Sequence, residues 1–242
     1  MHVSRARSVL GILAALMMVF LLSSCGSPNP DVRNITLTLV RNAQSSANED
    51  GMIETKAPGP PLTDEGRAQA EALANKLKSN DYDGVYASEL VRSQQSAEIM
   101  ARAVGGKVNV QSGLNEISAG WYEGLPAKKA DATYLVPMQY WLQSNRQFTI
   151  PGSVSGNQFN SQFSGAVQHI YDSGNNKPIA FSSGNAIMMW ILMNVINPKD
   201  SLLTDHPLPN TGRVVINGNP VTGWTLKEWD GITDFSTGAG GS

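Results

Sequence analysis

From residue 35 to residue 197 short β-branched or apolar runs alternate with segments whose apolar residues recur at helical spacing, and two more strand-like runs follow. Nothing else in the sequence restricts the fold as much. Parallel strands need a long crossover between them, and a helix is the usual one because it satisfies its own backbone groups. Ile35 to Val40 (Ile-Thr-Leu-Thr-Leu-Val), Val85 to Ala87, Lys107 to Val110 and Lys177 to Ser182 read as strands. Thr63 reads as a helix cap, with Asp64 and Glu65 in the first turn where the dipole favours acids. Ala70, Leu73, Ala74 and Leu77 continue that helix, and Leu90 to Val104 is predicted to form another. Phe159, Phe163, Val167 and Ile170 mark an amphipathic helix, and Ala186 to Ile196 is apolar nearly all round and predicted buried. Arg213 to Ile216 and Trp224 to Trp229 read as a closing hairpin around Gly218 and Gly223. The pattern predicts a layered α/β domain with a mostly parallel sheet. Ligands of such sheets sit beyond the carboxyl ends of the strands. Arg41 to Asn48, Ser88 to Arg92 and Ser182 to Asn185 all fall there, so one crevice is expected to gather them.

The first residues follow a different logic. Arg5 and Arg7 precede an apolar run from Val9 to Leu22, which is short for a membrane span of about 20 residues. It ends in Leu22-Ser23-Ser24-Cys25, a pattern that resembles the bacterial lipobox. Cys25 is the only cysteine, so no internal disulfide can form. We therefore expect residues 1–24 to be a lipoprotein signal peptide and Cys25 to be lipidated, with 25–34 a tether. The domain is expected over 35–231, with a flexible tail over 232–242. The expected location is the cell membrane, lipid-anchored on the extracytoplasmic face. A formal net charge of −2 without a basic patch argues against nucleic acid as a partner. No metal-ligand spacing is present and no cofactor is expected.

Residues Leu39 to Asn48 read Leu-Val-Arg-Asn-Ala-Gln-Ser-Ser-Ala-Asn. This resembles the opening signature of the histidine phosphatase (phosphoglycerate mutase-like) superfamily, Leu-Val-Arg-His-Gly-Gln-Ser-x-x-Asn. Four further segments resemble that family in the same order: Leu62 to Ala70, Ser88 to Ala97, Leu114 to Gly124, and Leu208 to Gly212. The chain also resembles mycobacterial lipoproteins that share this degenerate pattern. The resemblance implies a three-layer sandwich around a mostly parallel central sheet, with residues 113–155 as a partly helical cap over the site. In catalytic members a first histidine attacks a phosphoryl group. Two arginines and a second histidine hold its oxygens, and a carboxylic acid protonates the leaving group. By that likeness Arg41 and Arg92 match the phosphate-binding arginines, whose planar forks fit phosphate. Ser45 and Asn48 match polar positions of the signature loop, and Glu116 matches the proton donor.

Three positions depart from the family. Asn42 stands where the nucleophilic histidine belongs, and its amide has no basic lone pair. Ala43 replaces the usual glycine. Ser183, in Phe181-Ser182-Ser183-Gly184, stands where the second histidine belongs. His169 and His206 lie outside the motifs. The expected function is a membrane-anchored protein with a degenerate phosphatase domain that binds a phosphorylated small molecule or other anion, or an envelope protein. Two alternatives stay open at this point. One is an active phosphatase with an unorthodox nucleophile. The other is a purely structural or interaction lipoprotein, in which Arg41 and Arg92 are buried ion-pair partners of Glu116 or Glu123.

Overall fold

A computed structural model describes residues 32–235, so the expected signal peptide, Cys25 and the end of the tail (236–242) lie outside the described residues. The sheet has six strands. They are β1 (Ile35–Arg41), β2 (Gly84–Ala87), β3 (Val108–Val110), β4 (Pro178–Ser182), β5 (Arg213–Asn219) and β6 (Gly223–Trp229). Their spatial order is β3-β2-β4-β1-β5-β6. The four strands from β3 to β1 run parallel, and β5 and β6 are joined on antiparallel. The register sets Arg41 opposite Ser182, and Ala87 opposite Phe181. The carboxyl ends of β1, β2 and β4 therefore share one edge, as the spacing predicts.

Side-chain alternation explains the layers. A strand sends successive side chains to opposite faces. Leu37 and Leu39 of β1, Tyr86 of β2 and Ala180 of β4 join one core cluster. Their neighbours Val40, Val85, Ala87, Ile179 and Phe181 join a second. The first face is covered by α5 (Gly156–Asp172) and α6 (Gly184–Asn194), with Phe163 and Trp190 stacked at 5.3 Å between ring centroids. The second is covered by α2 (Asp64–Leu77) and α3 (Val91–Val104) through Leu77, Ala97 and Met100. The result is the three-layer α/β sandwich with a mostly parallel sheet. All five residues of β4 are buried, as expected of a strand covered on both faces.

Local signals placed most boundaries. Thr63 caps α2, its hydroxyl accepting the Gly66 N–H at 2.9 Å. The sequence reading passed over α1 (Ser46–Asp50) and α7 (Leu202–Asp205), which are too short to show helical periodicity. Residues 113–155 are partly helical, with 3₁₀ turns at Gly120–Tyr122 and Ala127–Ala132 and a helix, α4 (Val136–Leu142). Ile232 pairs with Trp229, and Ile232 and Phe235 pack against the first core cluster, so residues 232–235 are held to the domain. No helix among the described residues is long and apolar enough to cross a membrane.

Candidate functional site

β1 ends at Arg41, and the chain turns at Asn42 through Ser45 into α1. Gly66 makes this turn possible: a Cβ there would run into the backbone of Gln44, so only glycine lets α2 start against the signature loop. Gln44 in turn holds α2, its carbonyl accepting the Thr63 N–H at 3.1 Å. Ala43, where a glycine was expected, fits because its methyl is fully buried beside Leu62 and Ala70.

The strand ends surround a cleft of about 260 Å³ lined by Arg41, Asn42, Arg92, Glu116, Tyr134 and Ser183, among others. Ser45 and Asn48 also line it. The expected residues therefore converge, although they lie far apart in sequence. Arg41 is partly buried and is fixed by donating from Nη1 to the Leu208 carbonyl at 2.6 Å. Its stem lies over the start of α6, where a Cβ on Gly184 would sit 3.0 Å from Arg41 Cδ. Arg92, 5% exposed, rises from the first turn of α3 and donates from Nη2 to Ser183 Oγ at 3.4 Å. Its Nη1 is buried and makes no hydrogen bond. Burial lowers the pKa of both guanidiniums against the pull of Glu116, and the charge of Arg41 lowers that of Arg92 further. Arginine still stays protonated at any physiological pH.

Glu116 supplies the negative charge that faces them. It accepts the N–H of Ile117 at 2.9 Å and of Ala186 at 3.1 Å, which ties it to the amino end of α6. Burial pushes its carboxyl above the usual carboxylate range, against the pull of those hydrogen bonds and of both arginines. A carboxyl so placed holds its proton more readily than a surface one. Neither Arg41 nor Arg92 forms a salt bridge within 4.0 Å with a carboxylate of the described residues. Glu123 is engaged elsewhere: it accepts from the Thr55 N–H and hydroxyl, both at 2.6 Å, and from the Lys56 N–H at 3.0 Å. It braces the loop over the cleft and does not bridge the arginines.

The remaining expected residues divide by role. Asn42 is 2% exposed and donates from Nδ2 to the Ala43 carbonyl at 2.9 Å. An amide nitrogen is a donor with its lone pair delocalised, so it cannot attack phosphorus. Ser183 is the N-cap of α6 but makes no side-chain cap, which leaves its O–H able to donate into the cleft. Ser45 and Asn48 form a capping box that starts α1, so the Ser45 hydroxyl already serves the helix. His169 and His206, the histidines among the described residues, are not in the lining of this cleft. No group of three or more His, Cys, Asp or Glu among the described residues could hold a metal ion.

Sequence reasoning missed two contributors. Tyr134 enters from the cap, is nearly buried, and accepts from Asn185 Nδ2 at 2.6 Å. Burial pushes its phenol up, so it stays neutral. Asn210 donates to the Asn42 carbonyl at 3.1 Å and to Asn48 Oδ1 at 3.3 Å, tying the final loop to the signature loop. No local pattern marks Tyr134. Asn210 lay inside a family-like segment whose side-chain role the sequence left open.

A family model described as the histidine phosphatase superfamily (branch 1) matches residues 37–231. The chain is 43% identical over 219 residues to a PE-PGRS family protein of Mycobacterium tuberculosis, covering 83% of this chain and 37% of that protein. It is 29% identical over 116 residues to a probable 2-carboxy-D-arabinitol-1-phosphatase of Arabidopsis thaliana, covering 48% of this chain and 24% of the relative. The chain thus spans well under two thirds of the length of these relatives. Among solved structures it resembles one titled mycobacterial hydrolase 1, with TM-score 0.67 and 18% identity over 84% of this chain and 100% of that one. It also resembles a mycobacterial glucosyl-3-phosphoglycerate phosphatase, with TM-score 0.66 and 18% identity over 83% and 100%. At that identity the likeness shows the fold.

Proposed function

The chain belongs to the histidine phosphatase superfamily, and from that premise we propose that it is a membrane-anchored lipoprotein whose domain binds a phosphorylated or other anionic ligand at the cell envelope without hydrolysing it at a phosphatase's rate. One observation carries the reading. The buried Arg92 and the partly buried Arg41 converge with Ser183 at the carboxyl ends of the parallel strands, and neither forms a salt bridge with a carboxylate of the described residues. A buried guanidinium nitrogen without a hydrogen-bond partner, as at Arg92 Nη1, costs free energy that a phosphate oxygen would offset. This geometry disfavours the structural ion-pair reading, which needs Glu116 or Glu123 to bridge the arginines.

Binding and turnover separate at Asn42. The fork of each arginine, the Ser183 hydroxyl and the amino end of α6 supply donors for phosphate oxygens. The groups at positions 42 and 183 supply no nucleophile and no second imidazole. Glu116 is held where an acid would face a leaving group, but an acid without a nucleophile does not break the ester. The relatives whose names describe phosphatases favour a phosphomonoester as the ligand class.

Calorimetry and a phosphatase assay test the reading together. Inorganic phosphate should bind, more weakly as salt rises, and Arg92→Ala should abolish the heat. Turnover of an aryl phosphate should lie several powers of ten below that of an intact family enzyme. A rate near one per second that disappears in Arg41→Ala would overturn the proposal in favour of an active phosphatase.

A further inference from the structure

The turn between β5 and β6, Pro220 to Thr222, lies beside the start of β1, where Gly218 stands opposite Ile35 in the register. Asn219 holds it and is 1% exposed. Its Oδ1 accepts the N–H of Val221 at 2.9 Å and of Thr222 at 2.8 Å. Its Nδ2 donates to Thr222 Oγ1 at 2.7 Å and to Asn34 Oδ1 at 2.6 Å. The turn is therefore a fixed projection, braced against the residue that leads into β1.

What it projects is apolar. Val221 is 75% exposed, and Ile196, just after α6, is 71% exposed. They are the most exposed large aliphatic side chains among the described residues. Both belong to the same corner of the fold. Ile196 donates its N–H to the Trp224 carbonyl at 2.9 Å, and a Cβ on Gly223 would sit 3.3 Å from Ile196 Cδ1. Single exposed apolar residues are ordinary, but adjoining ones on a braced turn mark a contact surface.

Chain connectivity selects what that surface meets. Nine residue steps separate Cys25 from Asn34, and they reach about 30 Å at full extension. With a lipid on Cys25, Asn34 and the turn tied to it stay within that distance of the bilayer. A formal net charge of −2 gives little attraction to anionic lipid, so apolar contact must carry the encounter.

We propose that the β5–β6 turn, through Val221 and Ile196, docks on the headgroup–acyl boundary of the membrane that the Cys25 lipid enters. The assignment rests on the lipoprotein reading of the chain. The lipid supplies attachment and the turn supplies orientation. β1 runs away from the turn for seven residues to Arg41, about 20 Å. The docked domain thus holds its arginine cleft away from the bilayer, and the anion it takes comes from the aqueous phase and not from a headgroup of that membrane.

Fluorescence quenching on the full-length lipidated chain in phosphatidylcholine vesicles tests it. A polarity-sensitive dye is attached to Val221→Cys and, separately, to Glu49→Cys, an exposed position on α1 beyond the end of β1. Lipidation blocks the Cys25 thiol. A quencher on the lipid acyl chains should dim the dye at position 221 severalfold more than the dye at position 49, and Ile196→Asp should remove most of that difference. Should the labelled turn not fold by circular dichroism, Ile196→Cys carries the dye and Val221→Asp is the disrupting change. Equal quenching at the two positions on vesicle-bound protein, or quenching that survives the aspartate, would overturn the docking alone. Shielding of position 221 from aqueous iodide in detergent, growing with protein concentration, would assign the face to a second copy of the chain and also overturn it. A wild-type chain that does not float with the vesicles would overturn the lipid anchor and the docking with it.

Discussion

Glu116 illustrates how one residue can serve two states. It lies opposite Arg41 and Arg92, yet burial outweighs their attraction and raises its pKa. In the unfolded chain a glutamate titrates near about 4.3. The folded protein therefore carries an ionisation cost that is absent below that pH, grows as pH rises toward the folded pKa, and then levels off. Glu116→Gln removes the cost. Its melting temperature relative to wild type should rise as pH increases above the unfolded value of about 4.3, and a flat difference would mean that the arginines offset burial completely. Asn42 and Ser183 define the second experiment at this scale. Because Arg41, Arg92 and Glu116 already surround the cleft, Asn42→His combined with Ser183→His should yield measurable aryl phosphatase activity and a phosphohistidine intermediate. A folded double variant without phosphohistidine would show that the site has drifted by the roughly 1 Å that chemistry does not tolerate.

Among the elements, close approach of backbones matters more than helix propensity. The amino end of α2 lies on the signature loop only because Gly66 has no side chain, and Thr63 and Gln44 then lock the contact with hydrogen bonds. Gly66→Ala should destabilise the domain by about 1–3 kcal/mol through overpacking against backbone that cannot yield. Gly165→Ala, in open space on α5, should instead stabilise it by about 0.5–1 kcal/mol. Denaturant midpoints with unchanged slopes would check both, and the same sign for the two substitutions would contradict this account. The capping box at Ser45 and Asn48 belongs to the same scale. Residues that the family likeness assigns to ligand binding also start a helix, and their hydrogen bonds show the second role directly.

For the whole molecule, the open matter is attachment. The apolar run before Cys25 and the small residues around it motivate a lipid anchor, and stable anchoring takes more than one acyl chain. Cys25→Ala should move the protein from the membrane fraction to the soluble one, and unchanged processing and fractionation would refute the anchor. The domain itself was largely legible from its sequence, because strands and helices leave periodic apolar patterns and parallel pairing forces them to alternate. Strand ends were legible for the same reason, so Arg41, Arg92 and Ser183 could be expected in one crevice. Several things depended on contacts between residues far apart in the chain, which no local pattern encodes. The absence of a carboxylate partner for either arginine is one. The raised pKa of Glu116, the capture of Glu123 by Thr55 and the entry of Tyr134 from the cap are others. Sequence alone fixes what each side chain can donate, accept or attack, so Asn42 was readable as a side chain without a nucleophilic lone pair. Which of those groups are dehydrated and left facing each other is decided by packing, and so only the tertiary structure could show it.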